Sequence, residues 1–141
     1  MNGAPGHRRI SQRKVMERLM TDTPVILSTL GDAGGVGPEL VARTLDHPEI
    51  TRGCKRVIAG HPRIFDMGRE VAGVATDLPR FTDIEAAIAS PDPVVFYHFD
   101  TLHYGDIDVG KTSAQAGLAD YQIGCHAADL SAAGLIDAFV W

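Results

Sequence analysis

Four short apolar runs, rich in β-branched and aromatic residues, recur along the chain. They are PVILSTL (24–30), KRVIAG (55–60), PVVFYHF (93–99) and LIDAFVW (135–141). Glycine, proline or aspartate stands at or next to at least one end of each run. Runs of this length and content between turn residues are typical of buried strands, so we predict four such strands.

Between these runs, apolar residues recur at steps of three and four, the period of a helix packed on one face. Pro38 and Pro62 each suit a first helical position, and these two helices are predicted to stop at His47-Pro48 and Gly73. A short helical turn is expected before Pro91, and the alanine-rich stretch 112–133 predicts the longest helix. This alternation predicts an α/β fold with a mostly parallel sheet.

Length, charge and cysteine content limit the classes of protein to which the chain can belong. The 141 residues suffice for one core, and the net charge of −5 gives no general attraction to nucleic acid or anionic membranes. A basic stretch within residues 1–23 is interpreted as a solvated extension or short helix, and a contact with nucleic acid or a membrane is the alternative. No run reaches the roughly 18 apolar residues of a membrane span. Cys54 and Cys125 are widely separated, and we expect two reduced thiols in a cytoplasmic protein.

The stretch GDIDVGKT, Gly105 to Thr112, matches the phosphate-loop pattern G-x-x-x-x-G-K-S/T. In that loop a strand ends at the first glycine and a helix begins at the lysine. Here the predicted strand ends near Phe99, and Asp106 and Asp108 would repel a triphosphate. We therefore predict that residues 110–112 form the turn into the longest helix. A small nucleotide-binding module that uses Gly105–Thr112 is kept as the alternative hypothesis.

A second glycine cluster, LSTLGDAGGVGPEL (27–40), has a strand before it and a proline-led helix after it. Glycine lets the backbone approach a ligand closely and adopt positive φ. Spacing alone leaves two readings open: a ligand-binding loop, or a sharp turn in which Glu39 merely favours the helix dipole. The candidate cofactor-binding residues are Gly31, Asp32, Gly34, Gly35, Gly37, Pro38 and Glu39.

LGDAGGVGPELV resembles the opening motif of the 4-hydroxythreonine-4-phosphate dehydrogenase family. VIAGHPRIF and GKTSAQAG (110–117) are similar to later family motifs, in the same order. Ala33-Gly34 departs from the family's Pro-Ala and is nearer to its sugar-acid branch, and His61 stands where the family has aspartate. The resemblance implies that residues 24–141 are a truncated N-terminal part of an isocitrate/isopropylmalate dehydrogenase-like fold.

The resemblance also implies a function. It implies a homodimeric enzyme that uses NAD and a divalent metal (Zn, Mg or Co) to oxidise and decarboxylate a four-carbon hydroxy-acid phosphate. The substrate would be 4-hydroxythreonine 4-phosphate, as in pyridoxine biosynthesis, or threonate or erythronate 4-phosphate. The turn from Gly31 to Glu39 would then lie near the cofactor.

The family's metal-binding histidines and T-A-P-x-N-K loop would lie beyond the last residue of this chain. No catalytic or metal-binding residue is therefore assigned, and we expect the chain alone to be inactive. His98, His103 and His126 are predicted in a strand, a loop and a helix without ligand spacing, so they are interpreted as packing or surface residues.

Overall fold

A computed structural model describes residues 23–99 and 109–141. The part so described contains a five-stranded sheet in the order β3-β4-β2-β1-β5. The strands are β1 (Val25–Thr29), β2 (Lys55–Gly60), β3 (Arg80–Phe81), β4 (Val94–His98) and β5 (Ala138–Val140). The helices are α1 (Gly37–Arg43), α2 (Pro62–Ala72), α3 (Ile84–Ala89) and α4 (Ala114–Ala132), with two short 3-10 helices at Thr44–Asp46 and Pro48–Thr51.

Every strand pairing in the sheet is parallel, as the alternation of strands and helices predicts. In register, Val25 of β1 pairs with Lys55 of β2, and Arg56 of β2 pairs with Val94 of β4. Because the strands are parallel, the turns that follow them all emerge on one side, called here the carboxyl edge of the sheet. Helix α4 must return the chain from that edge to reach β5, so it begins at the carboxyl edge.

Helices cover both faces of the sheet. Val25 and Leu27 of β1 share one buried cluster with Ile123, Ala127 and Leu130 of α4. On the opposite face, Ile58 and Phe96 pack with Ile64 and Phe65 of α2, and the Phe65 and Phe96 rings stack 4.7 Å apart. Strands buried on both faces explain why the chain shows continuous apolar runs and not alternation.

The helix boundaries follow from capping residues. His61 precedes α2 and its Nδ1 accepts the N–H of Arg63 at 3.3 Å, while Gly73 ends the helix at φ 70°. The longest helix begins at Ala114 and not at the predicted Thr112. The reason is Ser113, whose backbone is extended and whose Oγ accepts the N–H of Ala116 at 3.0 Å.

Two predictions about strands need correction. The two-residue β3 was missed, because Arg80–Phe81 is too short to form an apolar run. The run at 135–141 was predicted to be a buried strand, but β5 covers only Ala138–Val140 and all three residues are exposed. Its buried residues, Leu135 and Ile136, lie before the strand and belong to the buried cluster that includes residues of α4. The predicted basic extension lies almost wholly outside the described residues.

Candidate functional site

The glycine-rich segment Leu30–Glu39 forms the connection from β1 to α1 at the carboxyl edge, and we call it the glycine turn. Gly31 has φ 69°, a conformation that side chains disfavour. The Asp32 carboxylate accepts the N–H of Gly34 at 2.8 Å, and the Asp32 carbonyl accepts the N–H of Gly35 at 3.0 Å. These two hydrogen bonds stabilise the observed conformation of the turn.

Steric constraints explain two more of the predicted residues. A Cβ at Gly37 would lie 2.2 Å from the carbonyl oxygen of Leu30, so only glycine fits there. Pro38 is buried, and its carbonyl oxygen would lie 2.4 Å from a Cβ at Gly68 of α2. The turn is thus held against α2 by close backbone packing.

The predicted site residues therefore fall into two groups. Gly31, Asp32, Gly35, Gly37 and Glu39 retain exposed surface, whereas Gly34 and Pro38 are buried. The exposed group can contact a ligand, and the buried pair shapes the turn. Val36 and Leu40, which the sequence did not single out, add exposed apolar surface beside the turn, at 63% and 53%.

The end of the phosphate-loop match lies beside the glycine turn. Gly110 has φ 83°, and its N–H donates to the carbonyl of Gly34 at 2.8 Å. The turn of residues 109–112, called here the lysine turn, therefore joins the glycine turn at the carboxyl edge. Sequence reasoning identified both turns but did not place them together, because no local signal reports a contact across 76 positions.

The surroundings of the lysine turn differ from those of a phosphate loop. Strand β4 ends at His98, seven positions before Gly105, and α4 begins two residues after Thr112. Residues 105–108 lie outside the described part of the chain. The prediction that Gly110–Thr112 leads into the long helix is confirmed.

Two polar atoms near the carboxyl edge are buried without a hydrogen-bond partner, Thr29 Oγ1 and His98 Nε2. Thr29 ends β1 and is only 5% exposed. Its side chain lies on the same face of β1 as those of Val25 and Leu27, the face that α4 covers. Buried hydroxyls without partners are uncommon and costly, at roughly 1–3 kcal/mol. Sequence reasoning missed Thr29, since a threonine in an apolar strand gives no distinctive signal.

The histidines pack against aromatic rings and against each other. His126 stacks on Phe99 with ring centroids 4.5 Å apart, and its Nε2 lies 3.3 Å from the Tyr97 hydroxyl. Burial lowers the pKa of His126, opposed by the charge of Asp129. The His98 ring meets the His61 ring edge-on at 5.7 Å. His103 lies outside the described residues.

Metal ligands are not gathered in the described structure. Within residues 23–99 and 109–141, no three His, Cys, Asp or Glu side chains are grouped so as to hold an ion. A divalent metal therefore has no fitting set of ligands here. In the same residues, no helix is both long enough and apolar enough to cross a membrane.

The chain is similar to known dehydrogenases. It is 31% identical over 115 residues to the 4-hydroxythreonine-4-phosphate dehydrogenase of Geobacter metallireducens, covering 82% of this chain and 34% of the relative. It is 30% identical over 105 residues to the D-threonate 4-phosphate dehydrogenase of Cupriavidus necator, covering 70% of this chain and 29% of the relative. No protein-family model matches the chain.

A solved structure shares the fold. The crystal structure of a 4-hydroxythreonine-4-phosphate dehydrogenase from Burkholderia phymatum superposes with a TM-score of 0.73 at 31% identity. The match covers 83% of this chain and 35% of that structure. The chain thus spans about a third of the length of the relatives it matches.

Proposed function

This chain belongs to the 4-hydroxythreonine-4-phosphate dehydrogenase family, and from that premise we propose that it forms part of an oxidoreductase acting on a phosphorylated hydroxy acid. The observation that carries the proposal is the shared sequence together with the shared parallel sheet. Relatives named for 4-hydroxythreonine 4-phosphate and for D-threonate 4-phosphate both match, so the proposed substrate is a four-carbon acid phosphate of this kind.

The proposed cofactor is NAD, bound at the glycine turn. Ligands of parallel α/β sheets lie beyond the carboxyl ends of the strands, and the glycine turn is at that edge. The exposed backbone of Gly31, Gly35 and Gly37 lets the cofactor approach closely. Asp32 and Glu39 would accept hydrogen bonds from its hydroxyl groups, while buried Gly34 and Pro38 hold the turn in shape.

The reaction that we propose begins with transfer of a hydride from the substrate's carbinol carbon to the nicotinamide ring and release of the hydroxyl proton, which leaves a β-keto acid. The bond to the carboxylate then breaks to release CO2, and the enolate that remains takes up a proton. A divalent metal, if the family's ligands supplied one, would contribute Lewis-acid polarisation of the substrate's hydroxyl oxygen. Because the described residues hold no fitting ligand set, we assign no step to a metal within them. The remaining proposals are a homodimeric, cytoplasmic enzyme and, if 4-hydroxythreonine 4-phosphate is the substrate, a role in pyridoxine synthesis.

The proposed place of the cofactor is tested by NAD titration of the 141-residue polypeptide, observed through backbone amide resonances. We expect the amide signals of Gly31, Gly35 and Gly37 to shift. Gly53 and Gly73 are internal controls, because they precede β2 and follow α2 at the opposite edge of the sheet. Shifts confined to the controls, or none at all, would refute the cofactor site.

The same titration with Mg-ATP tests the alternative, a nucleotide-binding module that uses Gly105–Thr112. Tight, magnesium-dependent ATP binding that is lost in Lys111→Ala would favour the alternative over the dehydrogenase. We expect no such binding, because the helix begins beyond Lys111 and the preceding strand ends well before Gly105.

A further inference from the structure

The glycine turn contains no cation, although the proposed ligands carry phosphate. Its charged side chains are the carboxylates of Asp32 and Glu39. A phosphate bound there would meet negative charge unless a neighbouring element supplied a positive one. The hydrogen bond from Gly110 to Gly34 brings the lysine turn to this position, and Lys111 is the next residue.

A second and independent feature lies at the same edge. Thr29 is more than nine-tenths buried, and its Oγ1 has no partner. It directly precedes the glycine turn and lies on the face of the sheet that α4 covers. The buried residues in the first turns of α4 are Ala116 and Ala119, whose side chains carry no hydrogen-bonding group. A ligand oxygen reaching this point would give the hydroxyl the partner that the protein does not provide.

We propose that the glycine turn and the lysine turn form one phosphate-binding site, in which Lys111 supplies the cation and Thr29 donates a hydrogen bond. The inference rests on the proposed function and extends it to two residues outside the glycine motif. The phosphate would come either from the dinucleotide or from the acid phosphate, since both present the same anionic oxygens.

Calorimetric titration of the 141-residue chain with NAD, and separately with D-threonate 4-phosphate, tests this site. We expect Lys111→Met to weaken the binding of at least one of these two ligands about tenfold, which is the scale of one charge-assisted contact. Lys111→Arg should restore most of the affinity, because the charge is kept. Arg52→Met is the matched control: it removes one exposed cation beside β2 at the opposite edge and should leave affinity unchanged.

The role of the Thr29 hydroxyl is tested by substitution with valine, which has nearly the same shape but no hydroxyl. Thr29→Val should weaken binding several-fold and yet raise the free energy of unfolding, because it removes an unpartnered hydroxyl. A residue with a purely structural role would not show these opposite effects. Thr29→Ser should bind like the wild type.

The two ligands identify the source of the phosphate. A loss confined to NAD assigns the site to the cofactor, and a loss confined to D-threonate 4-phosphate assigns it to the substrate. Equal affinity of the wild type and Lys111→Met for both ligands would overturn the inference while leaving the cofactor proposal intact. If the wild type binds neither ligand, the proposed cofactor site and this inference both fail.

Discussion

Single atoms decide the shape of the glycine turn. Its sequence can be interpreted either as a ligand loop or as a plain strand-to-helix turn, and the structure shows why glycine is needed in either case. At Gly37 the Leu30 carbonyl occupies the space that a side chain would need. The sequence predicted the turn and its location, but this steric reason depends on the path of the backbone and cannot be read from residue spacing.

Gly37→Ala tests this constraint. The added methyl group would overlap a backbone oxygen that cannot move without displacing β1, so we expect a loss of about 2 kcal/mol or more in the free energy of unfolding. Gly117→Ala is the matched control. No atom lies within 4 Å of a Cβ there, and Gly117 lies inside α4, where alanine is favoured by roughly 0.5–1 kcal/mol. Urea denaturation measures the free energy of unfolding of both variants. A Gly37→Ala variant as stable as the wild type would contradict the described turn.

At the scale of elements, apolar runs and prolines were sufficient to predict four strands and the positions of the helices. Strands buried on both faces appear as continuous runs, and Pro62 and Gly73 mark the limits of α2. Three features depend on tertiary contacts and were not predictable: the two-residue β3, the exposure of β5, and the joining of the two turns. Arg80–Phe81 becomes a strand only because β4 lies beside it.

The packing of α4 on β4 predicts a pH dependence of stability. His126 is half-buried between Phe99 and Tyr97, and burial lowers its pKa in the folded chain. The neutral form is therefore favoured by folding. The stability that neutral His126 contributes is fully present above the pKa of histidine in the unfolded chain, about 6.5. It is lost as the pH falls through the lower pKa of His126 in the folded chain. The negative charge of Asp129 opposes this lowering of the His126 pKa in part.

His126→Phe keeps an aromatic ring at this position but removes the titrating group. We expect the fall in the free energy of unfolding between pH 7.5 and pH 5 to be smaller in this variant than in the wild type. His47→Gln, at an exposed histidine paired with Glu49, is the control for a general effect of removing a histidine. If His126→Phe retains the full pH dependence, His126 is not its source. Urea titrations at the two pH values provide the measurement.

At the scale of the whole molecule, the exposed edge of the sheet at β5 predicts association between chains. In the described structure β5 pairs only with β1, and Val140 and Trp141 are 62% and 64% exposed. The Trp141 ring lies against Gly124, and its Nε1 donates to Asp120 at 3.0 Å. An apolar strand edge of this kind promotes association between chains.

We therefore expect the 141-residue polypeptide to associate as its concentration rises, and Val140→Lys to reduce that association. Val71→Lys is a closely matched control, because Val71 is also 62% exposed but lies on α2, away from the edge. Sedimentation velocity across a concentration series measures both variants. Equal effects of the two substitutions would show that the β5 edge is not responsible.

The family assignment has its most direct test in a chimera. Residues 24–141 would replace the aligned segment of the Geobacter metallireducens relative, which supplies the other two thirds of its length. NADH formation is then followed by absorbance with 4-hydroxythreonine 4-phosphate and with D-threonate 4-phosphate. We predict that the chimera reduces NAD with at least one of them, that a Gly37→Ala chimera is strongly impaired, and that the 141-residue chain alone forms no NADH. A folded chimera that is inactive with both substrates would contradict the proposal that this segment serves a dehydrogenase.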